Sequence, residues 1–250
     1  MEQLLKLLAD GGFHSGEALG NALGVSRAAV WKKLKALEEL GLQLDSVRGK
    51  GYRLHPGIEL LDWQVILDGL EPAVKDQVEV DICLQTASTM DRVRELSASR
   101  YRQLSAASPQ SGHGHMLSNK KLSNKKLSNK KLSSKKVFCV TEYQSCGRGR
   151  RGRTWSNPFG STICLSLRWP FSEGMASLEG LSLAAGLAVL QALEACGADG
   201  LKLKWPNDVL WEVHDGFRKL SGILLEVYGD PTGDCEVVIG VGVNIALSQQ

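Results

Sequence analysis

Residues 16–41 read GEALGNAL, then GVS, then RAAVWKKLKALEELG: two helical patterns joined by three residues, which must fold back tightly on one another. Ser15 and Ser26 stand where helix N-caps belong, and Val30, Leu34, Leu37 and Leu40 form one apolar face on the second pattern. MEQLLKLLADGG puts another short helix ahead of them and stops at a glycine pair. Three short helices with a tight glycine turn before the last make a helix-turn-helix, whose final helix offers its N-terminal part to the DNA major groove. Ser26, Arg27, Trp31, Lys32 and Lys35 lie at that end or away from the apolar stripe and are the set expected to meet DNA. In LQLDSVRGKGYRL, apolar residues alternate around Arg48, Gly49, Lys50 and Gly51, as in a hairpin whose basic tip, Arg48 and Lys50, reaches backbone phosphates. Residues 1–56 are therefore expected to form a winged helix-turn-helix DNA-binding domain. A module used only for protein contacts or dimerisation is the alternative.

The formal net charge of +3 is local in origin. Residues 117–136 read LSNKK three times and LSSKK once, eight lysines with no acid, so the rest of the chain is net acidic. A period of five matches neither helix nor strand, and a low-complexity insertion at about 105–136 is expected to be a disordered or weakly helical loop. It is either a basic tether or a tandem duplication tolerated at the surface. His113 and His115 in its flank are a weak metal signal. Six cysteines without a C-x-x-C pair or a secretory leader imply reduced thiols in a cytoplasmic protein. The apolar run LSLAAGLAVLQAL from Leu181 is shorter than the roughly 20 residues that cross a bilayer. It is expected to be a buried helix, with no membrane partner.

After a helical connector, residues 57–77, the chain from 78 to 250 reads as an α+β domain built on a mixed sheet. VEVDICLQT, VFCVTEYQS, STICLSLRW, LKLKWPNDVLW, KLSGILLEVYG and CEVVIGVGVNIAL are its strands, with a helix from Ser177 to Cys196. Between the second and third strands, CGRGRRGRTWSNPFG packs Arg148, Arg150, Arg151 and Arg153 among glycines. Guanidinium forks match phosphate and carboxylate, and glycine lets backbone N–H groups approach a ligand, so the segment reads as an anion site. A solvated basic loop, or an arginine-glycine tract touching nucleic acid without sequence preference, is the alternative. No G-x-x-x-x-G-K-[ST] loop, Ser-His-Asp set or zinc pattern competes for the chemistry.

GRGRRGRTW, KWPNDV, RKLSGILLE and IGVGVNI, behind FHSGEALG, GVSRAAVWK and GKGYRL, resemble the biotin protein ligases that also repress the biotin operon. The resemblance implies formation of biotinyl-5'-AMP from biotin and ATP, then transfer of biotin to a lysine of a biotin carboxyl carrier protein. It also implies binding to operator DNA as a homodimer. It assigns the biotin pocket to Ser88, Thr89, Gln144, Gly147, Arg148, Arg150, Lys219, Gly222 and Leu224, with Arg148, Arg150 and Lys219 catalytic. Arg151, Arg153, Trp155, Asn207, Asp208 and Asn244 fall to the nucleotide, Asp208 also to Mg²⁺, and Asn244 is expected past a turn at Gly240 and Gly242. Mutual repulsion of the arginines implies a loop that orders only around its anions.

This chain departs from that pattern in three ways. Met90 stands where the family usually has Asn, the lysine repeat is extra, and IALSQQ stops soon after Asn244. The family continues there with a loop over the adenylate, a helix and an SH3-like barrel, so the expectation is a truncated ligase lacking that barrel. Its alternatives are a non-catalytic biotin-sensing DNA-binding regulator, an inactive ligase fragment, or a protein gripping nucleic acid nonspecifically.

Overall fold

The computed structural model describes residues 1–107 and 136–246. His113, His115 and all but the last lysine of the repeat lie outside them.

Three helices, α1 (Glu2–Leu8), α2 (Gly16–Leu23) and α3 (Arg27–Glu39), precede the hairpin of β1 (Leu44–Val47) and β2 (Gly51–Leu54). Ser15 Oγ accepts from Ala18 N–H at 3.0 Å and Ser26 Oγ from Ala29 N–H at 3.3 Å, satisfying donors that a helix start leaves free. Gly24 ends α2 at φ 64°, the left-handed conformation that glycine adopts without strain, and this makes the tight turn. Leu4, Leu5, Leu8, Leu19, Val30, Leu34, Leu37 and Leu54 close the core beneath.

The connector holds two short helices, α4 (Trp63–Asp68) and α5 (Pro72–Lys75). Next come β3 (Val78–Thr86), α6 (Thr89–Ala107), β4 (Lys136–Gln144), β5 (Thr162–Phe171), α7 (Leu181–Ala195), β6 (Leu201–Lys204), β7 (Asp208–Val213), β8 (Gly216–Gly229) and β9 (Cys235–Asn244). The strands form one seven-stranded sheet, β3-β4-β5-β9-β8-β7-β6, in which only the β3–β4 pair is parallel. The fold is thus α+β with a mixed sheet behind a winged helix-turn-helix. Alternation along β9 sends Val238 towards α6 and Val237, Ile239, Val241 and Val243 towards α7, so this central strand is apolar throughout.

Three details differ from the sequence reading. LKLKWPNDVLW is not one strand: Asn207 N–H bonds Lys204 C=O and the chain reverses into the hairpin β6–β7. Gly240 and Gly242 lie inside β9 and not in a turn. Helix α7 is only half buried; its stripe of Leu181, Ala185, Val189 and Leu193 packs on the sheet, while Leu183 and Leu187 are 45% and 46% exposed. An all-round apolar helix that meets the sheet on one side leaves its other side uncovered.

The two parts of the chain share packing. Ile58, Leu60, Leu84 and Tyr143 lie against the N-terminal core, and Phe159 is part of it. The buried Glu142 carboxylate accepts from Leu61 N–H. Burial pushes this carboxyl above the ordinary glutamate value of 4.5, so the folded protein holds the proton more tightly than the unfolded chain. Stability is therefore lost as pH rises above 4.5 towards the raised folded value. Glu142→Gln keeps an acceptor without the charge, and in urea unfolding it should gain on the wild type as pH rises through that window. A difference independent of pH would contradict the cost assigned to this buried carboxylate.

Candidate active site

The start of α6, the end of β4, the arginine segment and the middles of β8 and β9 meet at one cavity. Its inner end is polar. Gln144 Oε1 accepts from Thr89 N–H at 2.7 Å and Thr89 Oγ1 at 3.0 Å, and Thr89 Oγ1 lies 2.8 Å from Ser166 Oγ. Asn157, 4% exposed, clamps the Gln144 backbone when its amide is oriented to donate to the carbonyl and accept from the N–H. Ser88 Oγ is buried without a partner, an unpaired group that costs about 1–3 kcal/mol unless a ligand or water meets it.

The floor consists of glycines. Gly222 and Gly242 are register partners on β8 and β9, and the indole of Trp155 lies on them. A Cβ at Gly242 would sit 2.4 Å from that ring, and one at Gly240 would sit 2.8 Å from Met90 Sδ. The enclosed volume is about 50 Å³, well below the roughly 300–1,000 Å³ of small-molecule pockets, because Trp155 and Met90 occupy the space the glycines leave. Gly147 stands behind the indole, its carbonyl accepting from Trp155 N–H at 2.8 Å, and Leu224 adds apolar wall.

Three cations line the rim. Arg148 donates to both Asp91 oxygens, at 2.6 and 3.0 Å, and to Glu226 at 3.3 Å; Asp91 foremost holds its pKa above the ordinary arginine value. Arg150 donates to Asn207 Oδ1 at 3.0 Å, and Asn207 Nδ2 is tied to Ile223 C=O at 3.0 Å. Lys219 Nζ stands 2.8 Å from Asp208 Oδ1 and 5.4 Å from the Trp155 ring. The Lys219–Asp208 pair is a charge contact without hydrogen-bond alignment, since Asp208 Oδ1 has no hydrogen-bond partner.

Ser88, Thr89, Gln144, Arg148, Arg150, Trp155, Asn207, Lys219, Gly222 and Leu224 thus gather round one space. Asp208 and Asn244 stand behind Lys219, the latter donating to Lys219 C=O at 3.0 Å. Arg151 and Arg153 do not line the cavity: both are exposed, and Arg151 sits at φ 58° in a short turn. The arginine segment is folded rather than waiting for anions. Arg148 and Thr154 form a bridge, Gly149 N–H bonds Arg153 C=O at 2.7 Å, and Asp91 with Glu226 offsets the charge that was expected to drive the loop open. Sequence reasoning missed Asp91, although an acid in the first turn of the helix behind the S-T pair was a visible signal.

On the winged helix-turn-helix, Arg27, Trp31, Lys32 and Lys35 are exposed along α3, and Arg48 and Lys50 at the hairpin tip. Lys35 Nζ stacks 5.4 Å from the Trp31 ring and Lys50 Nζ 5.8 Å from Phe13. The Ser26 hydroxyl is engaged as the cap of α3.

The profile of the biotin/lipoate A/B protein ligase family matches residues 114–244, more than half of the chain, and a helix-turn-helix domain matches residues 1–53. The chain belongs to the biotin/lipoate A/B protein ligase family. It is similar to the bifunctional ligase/repressor BirA of Escherichia coli, 36% identical over 98% of this chain and 63% of that protein. The BirA of Salmonella typhimurium is 38% identical over the same shares, and that of Bacillus spizizenii is 29% identical over 98% of this chain and 64% of its own length. The chain spans about 63% of the length of these relatives. A solved biotin protein ligase from Leishmania major in complex with biotin superposes with a TM-score of 0.42 at 24% identity, covering 72% of this chain and 60% of that one, too loosely to add to this.

Gly242→Ala would drive a methyl group into the Trp155 indole, an overpacking that costs about 1–3 kcal/mol in urea unfolding. The double variant Trp155→Ala/Gly242→Ala should lose less than the sum of the single variants. Additive losses would mean that the two groups do not meet.

Proposed function

We propose that this chain is an ATP-dependent biotin protein ligase that also acts as a biotin-responsive repressor. One observation carries the choice of biotin: the unpaired, buried Ser88 hydroxyl beside the Thr89–Gln144 pair, in the same cavity as Arg148, Arg150 and Lys219. A cyclic urea offers donors and acceptors to that polar end, whereas a dithiolane ring would leave the Ser88 oxygen unpaired. Leu224 and Trp155 offer apolar surface to the thiophane ring and acyl chain.

In the first step a biotin carboxylate oxygen attacks the α-phosphorus of ATP, the bond to the β-phosphate oxygen breaks, and pyrophosphate leaves. Two anions must approach and the transition state is more negative still, so cations held at the rim supply the stabilisation. Arg148 and Arg150 serve biotin's carboxylate and the transferring phosphate, and Lys219 bridges the two. Asn207 orients Arg150, while Asn244 and Asp208 hold Lys219 through its carbonyl and its ammonium. Arg151 and Arg153 meet the outer phosphates if the segment shifts when ATP enters. Asp208 already faces a lysine, so Mg²⁺ arrives with the phosphates rather than being held in a protein cage. In the second step the amine of a lysine on a biotin carboxyl carrier protein attacks the acyl carbon, loses a proton, and AMP leaves. The basic face of α3 and the hairpin tip bind operator DNA, and a homodimer matches a two-fold operator.

Carrier biotinylation with biotin and ATP tests this reading. The wild-type chain should label an apo carrier domain, and Lys219→Met should lose about 10²–10³-fold in rate. Biotin heat in calorimetry without transfer would favour the biotin-sensing regulator, and the absence of biotin heat would overturn the biotin reading. Arg27→Ala should weaken operator binding and lower the salt slope by about 1 while biotin affinity stays unchanged. Equal operator affinity would remove α3 from the DNA interface.

A further inference from the structure

A second chemical cluster lies outside the proposed catalytic cavity, between β3, β4 and α6. Asp81 and Cys83, two residues apart on β3, face the same side of the sheet, and Cys139 on β4 is the register partner of Asp81. One carboxylate oxygen and both sulfur atoms fall within 4.8 Å of one another. Cys139 is fully buried, whereas Cys83 and Asp81 keep partial access to solvent. Val93, Val137 and Val238 surround the thiols with apolar side chains.

Arg92, one residue along α6 from Asp91, holds Asp81 from the outside, with Nε on Oδ2 at 2.5 Å and Nη2 on Oδ1 at 3.0 Å. An ionised carboxylate has about four acceptor positions and this fork takes two, while on the inward side the Cys139 thiol donates to Asp81, a proton that a bound cation would replace. We infer that Asp81, Cys83 and Cys139 form a binding site for a thiophilic divalent cation of the zinc and cadmium class.

Three observations carry it. The donor set is two sulfurs and one carboxylate oxygen, which suits zinc-class ions and not magnesium or calcium. The spacing keeps all three donor atoms within 4.8 Å of one another, close enough to share one ion. The charge closes as well: two thiolates and a carboxylate less the Arg92 cation leave two negative charges, which a divalent ion neutralises in a site screened by valines. Arg92 then acts as the outer partner that orients a ligating carboxylate. The partial exposure of Cys83 and Asp81 leaves room for water as a fourth ligand and for entry of the ion.

The test uses the full chain, stripped of metal and reduced with a phosphine, titrated with Cd²⁺ and followed by the ultraviolet thiolate-to-cadmium band. The expected result is saturation at one Cd²⁺ per chain, with displacement by Zn²⁺. Cys83→Ser should abolish the band, and Asp81→Asn should keep it with affinity at least about 10-fold weaker. A Cys146→Ser/Cys196→Ser variant, lacking the exposed thiols, should bind as the wild type does. Because Cys139 lies in the core, Cys83→Ser is the decisive variant, with its fold checked by circular dichroism. A wild-type chain with no saturable band, or a band undiminished in folded Cys83→Ser, would overturn the assignment.

Discussion

Two facing glycines make the site possible. Gly222 and Gly242 meet in register near the middle of the sheet, where β-branched residues would pair more strongly and where glycine costs roughly 0.5–1 kcal/mol in lost chain entropy. That cost is carried because any Cβ on this floor would collide with the indole of Trp155 or, at Gly240, with the thioether of Met90. The cavity is defined by atoms that are missing from two strands, and the aromatic ring lying in it accounts for its small enclosed volume.

Charge decides how the arginine segment rests on that floor. Arg148 is 37% exposed, so its pairs with Asp91 and Glu226 add little to global stability. Their effect is geometric: the guanidinium is kept at the rim of the cavity, and an anionic ligand must compete with two carboxylates for it. Arg150 is held more weakly, by a neutral amide. The rim therefore combines one cation already committed and one easily recruited, next to a lysine that shares its charge with Asp208.

The same segment is anchored at its far end in the other half of the molecule. Phe159, 5% exposed, stacks on Tyr143 and packs among the leucines of the N-terminal helices, and Glu142 receives the backbone of Leu61 two residues before Gln144. The segment carrying Arg148 and Arg150 thus runs from the cavity into the core that supports α3. Shared packing of this kind puts the cavity and the basic face of α3 in continuous physical contact.

The sequence alone determined what is settled within a few residues. The caps at Ser15 and Ser26, the glycine turn and the leucine faces of α2 and α3 are local, because each bond closes within one helical turn. Most strands were legible through their alternation, and the arginine-glycine segment, KWPND and SGIL carried the resemblance that points to the site. What depends on distant partners was not legible. The break inside LKLKWPNDVLW, the exposed flank of α7 and the position of Gly240 and Gly242 inside β9 follow from which strands pair and which face is covered. Asp91 reaches Arg148 across 57 positions, and Asp81 meets Cys139 only because β3 and β4 run side by side. Tertiary structure decided these because an acid, a thiol or a missing side chain gains its chemistry from what stands opposite it, and a linear pattern records only neighbours along the chain.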